Sequence, residues 1–308
     1  MTDIPTGVLP APPTGLSPVR GPGRARPVPA LPDVATVVLP LRQASPARAG
    51  ADGQRPAPAC VVARADYDPR GTDHTLLRSV LGPCELRRLD QLTGDRRRQE
   101  FTVARYAAKV ATRTALGRHV PPESVDTGGG VFHQPLLSVP GEPGLEVSLT
   151  HTGRDATGTA LALVHSGACP LGIDLEWVAP DTVAAALGAL TGAERALVDG
   201  PAAARGAGTP ERLALVLWSA REALSKALRI GLTVPFDVLR VSDVTWRDGG
   251  WLVEFGCFPH FRARAELLPG DAGVHDRVVV VAHPAPAPLP AIGLPGSARV
   301  EPRPEVPR

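Results

Sequence analysis

The sequence predicts an α+β protein of two similar lobes, framed by unstructured arms. Residues 1–58 and 284–308 are rich in Pro, Ala, Gly and Arg, as in Pro10-Ala11-Pro12-Pro13 and Arg55-Pro56-Ala57-Pro58. Such composition cannot sustain regular packing and reads as a disordered extension and a tail. Between them, stretches with an apolar period of two alternate with stretches of helical period. Each half of that body, 59–168 and 169–283, mixes helices with enough strand for a small sheet, although no sequence repeat is evident. The length of 308 residues, 43% of them apolar, suffices for a large core and roughly two domains.

Taken in order, Val34 to Leu41 is the one apolar island of the N-terminal arm, and Cys60 to Ala65 reads as the first strand of the body. A long helix follows over about Thr93 to Leu116, with Phe101, Tyr106, Val110 and Leu116 as candidate core positions. Leu145, Val147 and Leu149 alternate with Glu146, Ser148 and Thr150, a half-buried strand with His151 at its end. Thr159–Val164 and Leu171–Glu176 are further strands. Thr191 followed three residues later by Glu194 is a capping box that opens a helix. Thr209-Pro210 opens another, which runs to about Ile230 and is stopped by Gly231. Phe236–Val241, Trp251–Phe255, Arg262–Leu268 and Val278–Ala282 read as an antiparallel set.

A net charge of +2 on this length gives no bulk electrostatic case for nucleic acid or membrane. The arginine-rich stretch Arg87, Arg88, Arg96, Arg97, Arg98, Arg105 and Arg113 has few aromatics interleaved for base stacking, so a solvated face or an anionic ligand fits it better. No apolar run reaches membrane-spanning length, and Met-Thr-Asp-Ile-Pro does not begin a secretory signal. Cys60, Cys84, Cys169 and Cys257 have no metal-binding spacing and read as small buried residues of a reducing compartment. The expected address is the cytoplasm.

Two segments carry the chemistry. In Gly172-Ile173-Asp174-Leu175-Glu176, strand alternation puts Asp174 and Glu176 on one face and Ile173, Leu175 and Trp177 on the other. In Trp218 to Lys226, helical spacing aligns Trp218, Glu222 and Lys226 in one stripe. Taken singly, an acidic strand end is common on surfaces, and Glu222 with Lys226 could be an ordinary i,i+4 ion pair. Two adjacent carboxylates repel unless a cation neutralises them, and an indole is seldom spent on a solvated face. Lys109 and Lys226 are the only lysines in an arginine-rich chain, a hint that an ammonium is needed. Three carboxylates and a lysine that can converge suit Mg²⁺-assisted phosphate chemistry, since hard Mg²⁺ takes oxygen ligands.

The order Ser148-Leu149-Thr150-His151-Thr152-Gly153, then Gly172 to Glu176, then Trp218-Ser219-Ala220-Arg221-Glu222-Ala223-Leu224-Ser225-Lys226 resembles the 4′-phosphopantetheinyl transferases of the Sfp type. Arg221 stands where that motif has lysine, and Val278 to Pro284 is similar to the family's last strand. The resemblance implies two α+β lobes in a pseudo-twofold arrangement, working as a monomer with coenzyme A in the cleft between them. It implies Mg²⁺-dependent transfer of 4′-phosphopantetheine from coenzyme A to a serine of an apo acyl or peptidyl carrier protein, releasing adenosine 3′,5′-bisphosphate (a holo-acyl-carrier-protein synthase). On the same resemblance Asp174, Glu176 and Glu222 ligate the metal, Glu222 and Lys226 act in catalysis, and His151, Arg105 and Lys226 bind coenzyme A phosphates. Glu194 matches an acidic position whose role is open.

Two departures stand out. Phe132-His133-Gln134-Pro135 keeps only the proline of the family's Gly-basic-Pro, and Arg154 to Thr159 reads as an inserted loop. A Mg²⁺-dependent phosphohydrolase using the same carboxylates, or a non-catalytic carrier-binding relative, are the alternatives. Which carrier is served (fatty acid, polyketide or nonribosomal peptide) is not encoded in these motifs.

Overall fold

The computed structural model describes residues 32–39, 41, 59–68, 72–154, 157–200, 208–270 and 276–294. It is a mixed α/β structure with two main antiparallel sheets. Strands β1 (Val34–Val38), β2 (Val61–Tyr67), β5 (Leu145–Arg154) and β6 (Thr157–Ser166) form the first, in the order β1-β2-β6-β5. The second has the order β7-β11-β10-β9-β8, from β7 (Gly172–Trp177), β8 (Val241–Arg247), β9 (Gly250–Phe255), β10 (Phe261–Leu268) and β11 (Arg277–Pro284). The short hairpin β3 (Asp126–Gly129) and β4 (Pro135–Ser138) stands beside the first sheet. The helices are α1 (His74–Ser79), α2 (Pro83–Gln91), α3 (Asp95–Leu116), α4 (Pro180–Ala189), α5 (Gly192–Asp199) and α6 (Pro210–Ala227).

Alternation along the strands builds three packed layers of side chains. Val61, Ala63, Ala65, Ala160, Ala162 and Val164 meet α3 on one face of the first sheet. Val62, Leu161 and Leu163, on its other face, meet Ile173, Leu175, Val279 and Val281 of the second sheet. The far side of the second sheet, with Val278, Val280 and Ala282, is covered by α6. Each sheet thus carries a long helix outside and shares an apolar layer with the other inside. Hydrogen bonds also join the sheets at their edges, where the Ser148 hydroxyl of β5 accepts the Ile173 amide of β7 at 3.0 Å.

Several expectations change. The structured chain passes both boundaries drawn for the arms. Val34–Val38 pairs with β2, and Leu39 is buried. Beyond β11, Leu289, Ile292 and Leu294 enter the layer between the sheets, while the Ile292 and Gly293 amides donate to the Glu266 carboxylate at 2.6 and 3.1 Å. The remainder of the two arms lies outside the described residues. The buried face of α3 is Val103, Ala104, Ala107, Ala108, Ala111 and Ala115, whereas Phe101, Tyr106, Val110 and Leu116 are only half-buried. Alanine lets the helix backbone approach the sheet, so the face is set by closeness rather than side-chain size. Phe236–Leu239 is a 3₁₀ turn, and β8 begins at Val241. β5 continues past His151, which pairs with Ala160, so the segment read as a loop is largely the end of a hairpin. Of the four free cysteines only Cys60 is buried. Among the described residues no helix is long and apolar enough to cross a membrane.

Candidate active site

β7 is the edge strand of its sheet and lies beside β5 and under α6. Gly172 lets α6 approach: a Cβ there would stand 2.6 Å from the Ala227 nitrogen and closer still to the Ala223 carbonyl oxygen. The close approach brings the α6 stripe onto the acidic face of β7. Lys226 Nζ lies 2.6 Å from Asp174 Oδ1 and donates to the Ile173 carbonyl at 3.1 Å. The Thr150 hydroxyl of β5 donates to the same Asp174 oxygen at 3.2 Å. Asp174 is only 2% exposed, and its Oδ2 is buried without a hydrogen-bond partner.

These groups line a cleft of about 360 Å³ with Glu176, Glu222, His151, Arg105, His133 and Leu149. Thus Asp174, Glu176, Glu222, Lys226, His151 and Arg105, all expected from sequence, share one cavity. Two other cavities adjoin it, each sharing His133 and Pro135 with it. One, of about 490 Å³, is basic and adds Arg87 and Arg88; the other, of about 380 Å³, is mixed, adding Phe132, Leu136 and Val147 together with Glu146 and Arg229.

The electrostatics follow from burial. Burial, then the Asp174 and Glu222 charges, pushes the Glu176 carboxyl well above its ordinary range, while Lys226 and the Trp218 indole oppose the shift. Burial and then Asp174 push Glu222 up likewise, against Lys226 and Arg221. Burial lowers Lys226, but the Asp174 and Glu222 carboxylates outweigh it and hold the ammonium above its usual value. The His151 ring is 43% exposed at one edge, with Nδ1 3.6 Å from Glu100 Oε2. Burial of the rest, then Lys226, Arg105 and Arg96, pushes it down to about 4, so the ring is neutral at pH 7. Burial lowers Arg105 to about 10, still fully charged at pH 7. Its guanidinium stacks 4.3 Å from the Phe101 ring centroid, and its Nε has no hydrogen-bond partner.

Among the described residues no three His, Cys, Asp or Glu side chains are arranged to enclose a metal ion directly. The donor set nonetheless fits a hard divalent cation. Asp174 Oδ2 is an orphaned carboxylate oxygen, and the Asp174 charge raises the proton affinity of both Glu176 and Glu222, a repulsion that a bound cation relieves.

Around the site, Glu194 and Arg221 form a buried ion pair at 3.2 Å, with neither side chain exposed. Glu194 also accepts the Thr191 and Val241 amides, and Arg221 lies 5.5 Å and 4.9 Å from the Trp218 and Phe236 ring centroids. Glu194 is therefore a structural anchor that fixes the outer side of α6. Thr150 and Glu100 were not singled out from sequence. Thr150 was legible as the polar alternate beside His151, whereas Glu100 reaches the site from one turn of α3 that carries no motif.

Residues 170–279 match the model of the 4′-phosphopantetheinyl transferase superfamily. That span holds Asp174, Glu176, Glu222 and Lys226, and leaves Arg105 and His151 outside. Among solved structures, the acyl carrier protein synthase AcpS of Mycobacterium tuberculosis aligns over 34% of this chain and 96% of that chain, with 16% identity and a TM-score of 0.26. Comparison with curated proteins finds no match.

Proposed function

We propose that this chain is a phosphopantetheinyl transferase, moving the 4′-phosphopantetheine group of coenzyme A to a serine hydroxyl of an apo carrier protein. The observation that carries the reading is the convergence of Asp174, Glu176, Glu222 and Lys226 in one cleft with Arg105 and His151. The family match over 170–279 supports it. The expected pseudo-twofold relation of two lobes, with coenzyme A between them, belongs to the same proposal.

The division of labour follows from the chemistry of each group. Asp174, Glu176 and Glu222 would hold Mg²⁺, which when bound supplies charge neutralisation to the pyrophosphate oxygens. Lys226, kept protonated by its carboxylate neighbours, stabilises negative charge as the bond to the leaving phosphate breaks. Glu222, which lines the cleft beside Lys226, takes the proton of the acceptor serine. The serine oxygen bonds to the pantetheine-bearing phosphorus, and adenosine 3′,5′-bisphosphate leaves. Neutral His151 offers a hydrogen bond to a phosphate, and Arg105 a charged guanidinium.

An acceptor protein rather than water is favoured by the apolar lip of the adjoining cavity. There Phe132 is 50% exposed, Leu136 44% and neighbouring Val131 88%. The test is incubation with coenzyme A, Mg²⁺ and purified apo carrier proteins of several pathways, read by mass spectrometry. A carrier mass gain of one phosphopantetheinyl group supports transfer. Release of adenosine bisphosphate with unmodified carriers would mean hydrolysis instead.

A further inference from the structure

Three elements enclose the basic cavity beside the cleft, and one buried network ties the same three together. The cavity takes Arg87 and Arg88 from α2, Arg105 from α3, and Thr127 to Gly129 from β3. The network centres on Glu85 of α2. Its Oε2 lies 2.7 Å from Lys109 Nζ of α3, with the two side chains 0% and 1% exposed. Its Oε1 accepts the Thr127 hydroxyl of β3 at 2.7 Å. Lys109 donates also to the Val125 carbonyl, just ahead of β3. Asp126 closes the circuit by accepting the Cys84 and Glu85 amides at the start of α2, at 2.8 and 3.2 Å.

Stability alone does not call for this arrangement. Taking two charges out of water costs much of what their attraction returns, and apolar side chains of similar size often serve a core as well. What an ion pair adds is direction, because its hydrogen bonds fix distances that apolar packing leaves soft. Lys109 lies one turn beyond Arg105 on the same face of α3. Where Lys109 is held, the turn of α3 that carries Arg105 is held relative to α2 and β3.

We infer that the Glu85–Lys109–Thr127 network is a positioning device that sets the spacing of the basic cavity's walls, and through it the recognition of the phosphate-bearing nucleoside end of the donor. The inference rests on the coenzyme A reading above. The positioned groups are Arg87, Arg88 and Arg105, whose guanidinium forks match phosphate oxygens. Glu85 and Lys109 lie outside the cavity lining and act through them, while Thr127 stands in the cavity wall with its hydroxyl committed to Glu85.

The experiment compares the whole protein with its Thr127→Val and Lys109→Met variants. The donors are coenzyme A and dephospho-coenzyme A, which differ only in the ribose 3′-phosphate. The readout is the ratio of kcat/KM for the two, which does not depend on the fraction of protein folded. Thr127→Val, which keeps the shape and removes one hydrogen bond, should lower the ratio about fivefold. Lys109→Met should lower it further, with kcat for coenzyme A within about twofold of wild type in both. A merely structural network would lower both donors in proportion, and an unchanged ratio in folded Thr127→Val overturns the inference. Calorimetric binding of adenosine 3′,5′-bisphosphate separates the two levels of reading. If wild-type protein loads no carrier, the proposed function fails. Weaker bisphosphate binding by Thr127→Val would still support the positioning device, and equal or absent binding would overturn it.

Discussion

Lys226 Nζ and Asp174 Oδ1 are 2.6 Å apart, an ion pair that fastens α6 onto the edge strand β7 at the point where both face the cleft. Lys226 keeps a 27% exposed side chain whereas Asp174 keeps 3%, so the ammonium is the more accessible partner of the pair. Lys226→Met should therefore reduce carrier loading by about 10²–10³-fold, the scale of removing one preorganised donor from a developing anion. It should also lower the thermal midpoint, because Asp174 is left buried without its counter-charge. Loading time courses and thermal unfolding of the same preparation check both; a variant loading at near wild-type rate would remove Lys226 from catalysis.

Glu176 ties stability to pH. Burial first, then Asp174 and Glu222, raise its folded pKa above the ordinary 4.5 of the unfolded chain. A raised carboxyl binds more protons folded than unfolded, so stability falls as pH rises from the ordinary carboxylate range through the raised value. In chelator, Glu176→Gln should leave the midpoint near that of wild type at pH 4.5 and raise it by a few degrees at pH 8. A wild-type protein more stable than the variant at pH 8 would contradict the assignment.

Metal dependence is open to direct measurement. Loading should stop in EDTA and return with added Mg²⁺. Asp174→Ala and Glu222→Ala should each lose loading by orders of magnitude at saturating Mg²⁺ while keeping a cooperative unfolding transition. Near-normal loading by either would sink the carboxylate assignment.

Gly172→Ala tests whether the site depends on helix–strand contact. The new methyl group meets the backbone of Ala223 and Ala227, which cannot turn aside as a side chain could. Moving α6 away from β7 should cost about 1–3 kcal/mol of stability, as overpacking does. Because a displacement of about 1 Å can cost about 100-fold in rate, loading should suffer beyond the loss of folded protein. Denaturant titration with activity normalised to folded fraction measures the two effects separately.

How much of this was written in the sequence depends on the range of the interaction. The acidic face of β7 and the stripe of α6 follow from local periods of two and 3.6, and the structure brings them together. Ion pairs that join distant elements carry no such period. Glu85 and Lys109 lie on separate helices, and neither residue's neighbours mark it as buried. The docking of Ile292 against Glu266 was hidden by proline content, because composition reports what a segment cannot form alone and not what will cover it. The face of α3 was misassigned for a related reason. Large apolar residues advertise a core, but five alanines lie on the face that meets the sheet.

The seam where Ser148 and Thr150 of β5 bond to Ile173 and Asp174 of β7 has a consequence for how the molecule can be divided. The segment 170–279 would carry off the carboxylates and Lys226 but leave behind Thr150, His151, Arg105 and the whole basic cavity. It is half a site. Severed there, the two pieces own complementary walls of one vessel, and neither holds anything until they close again.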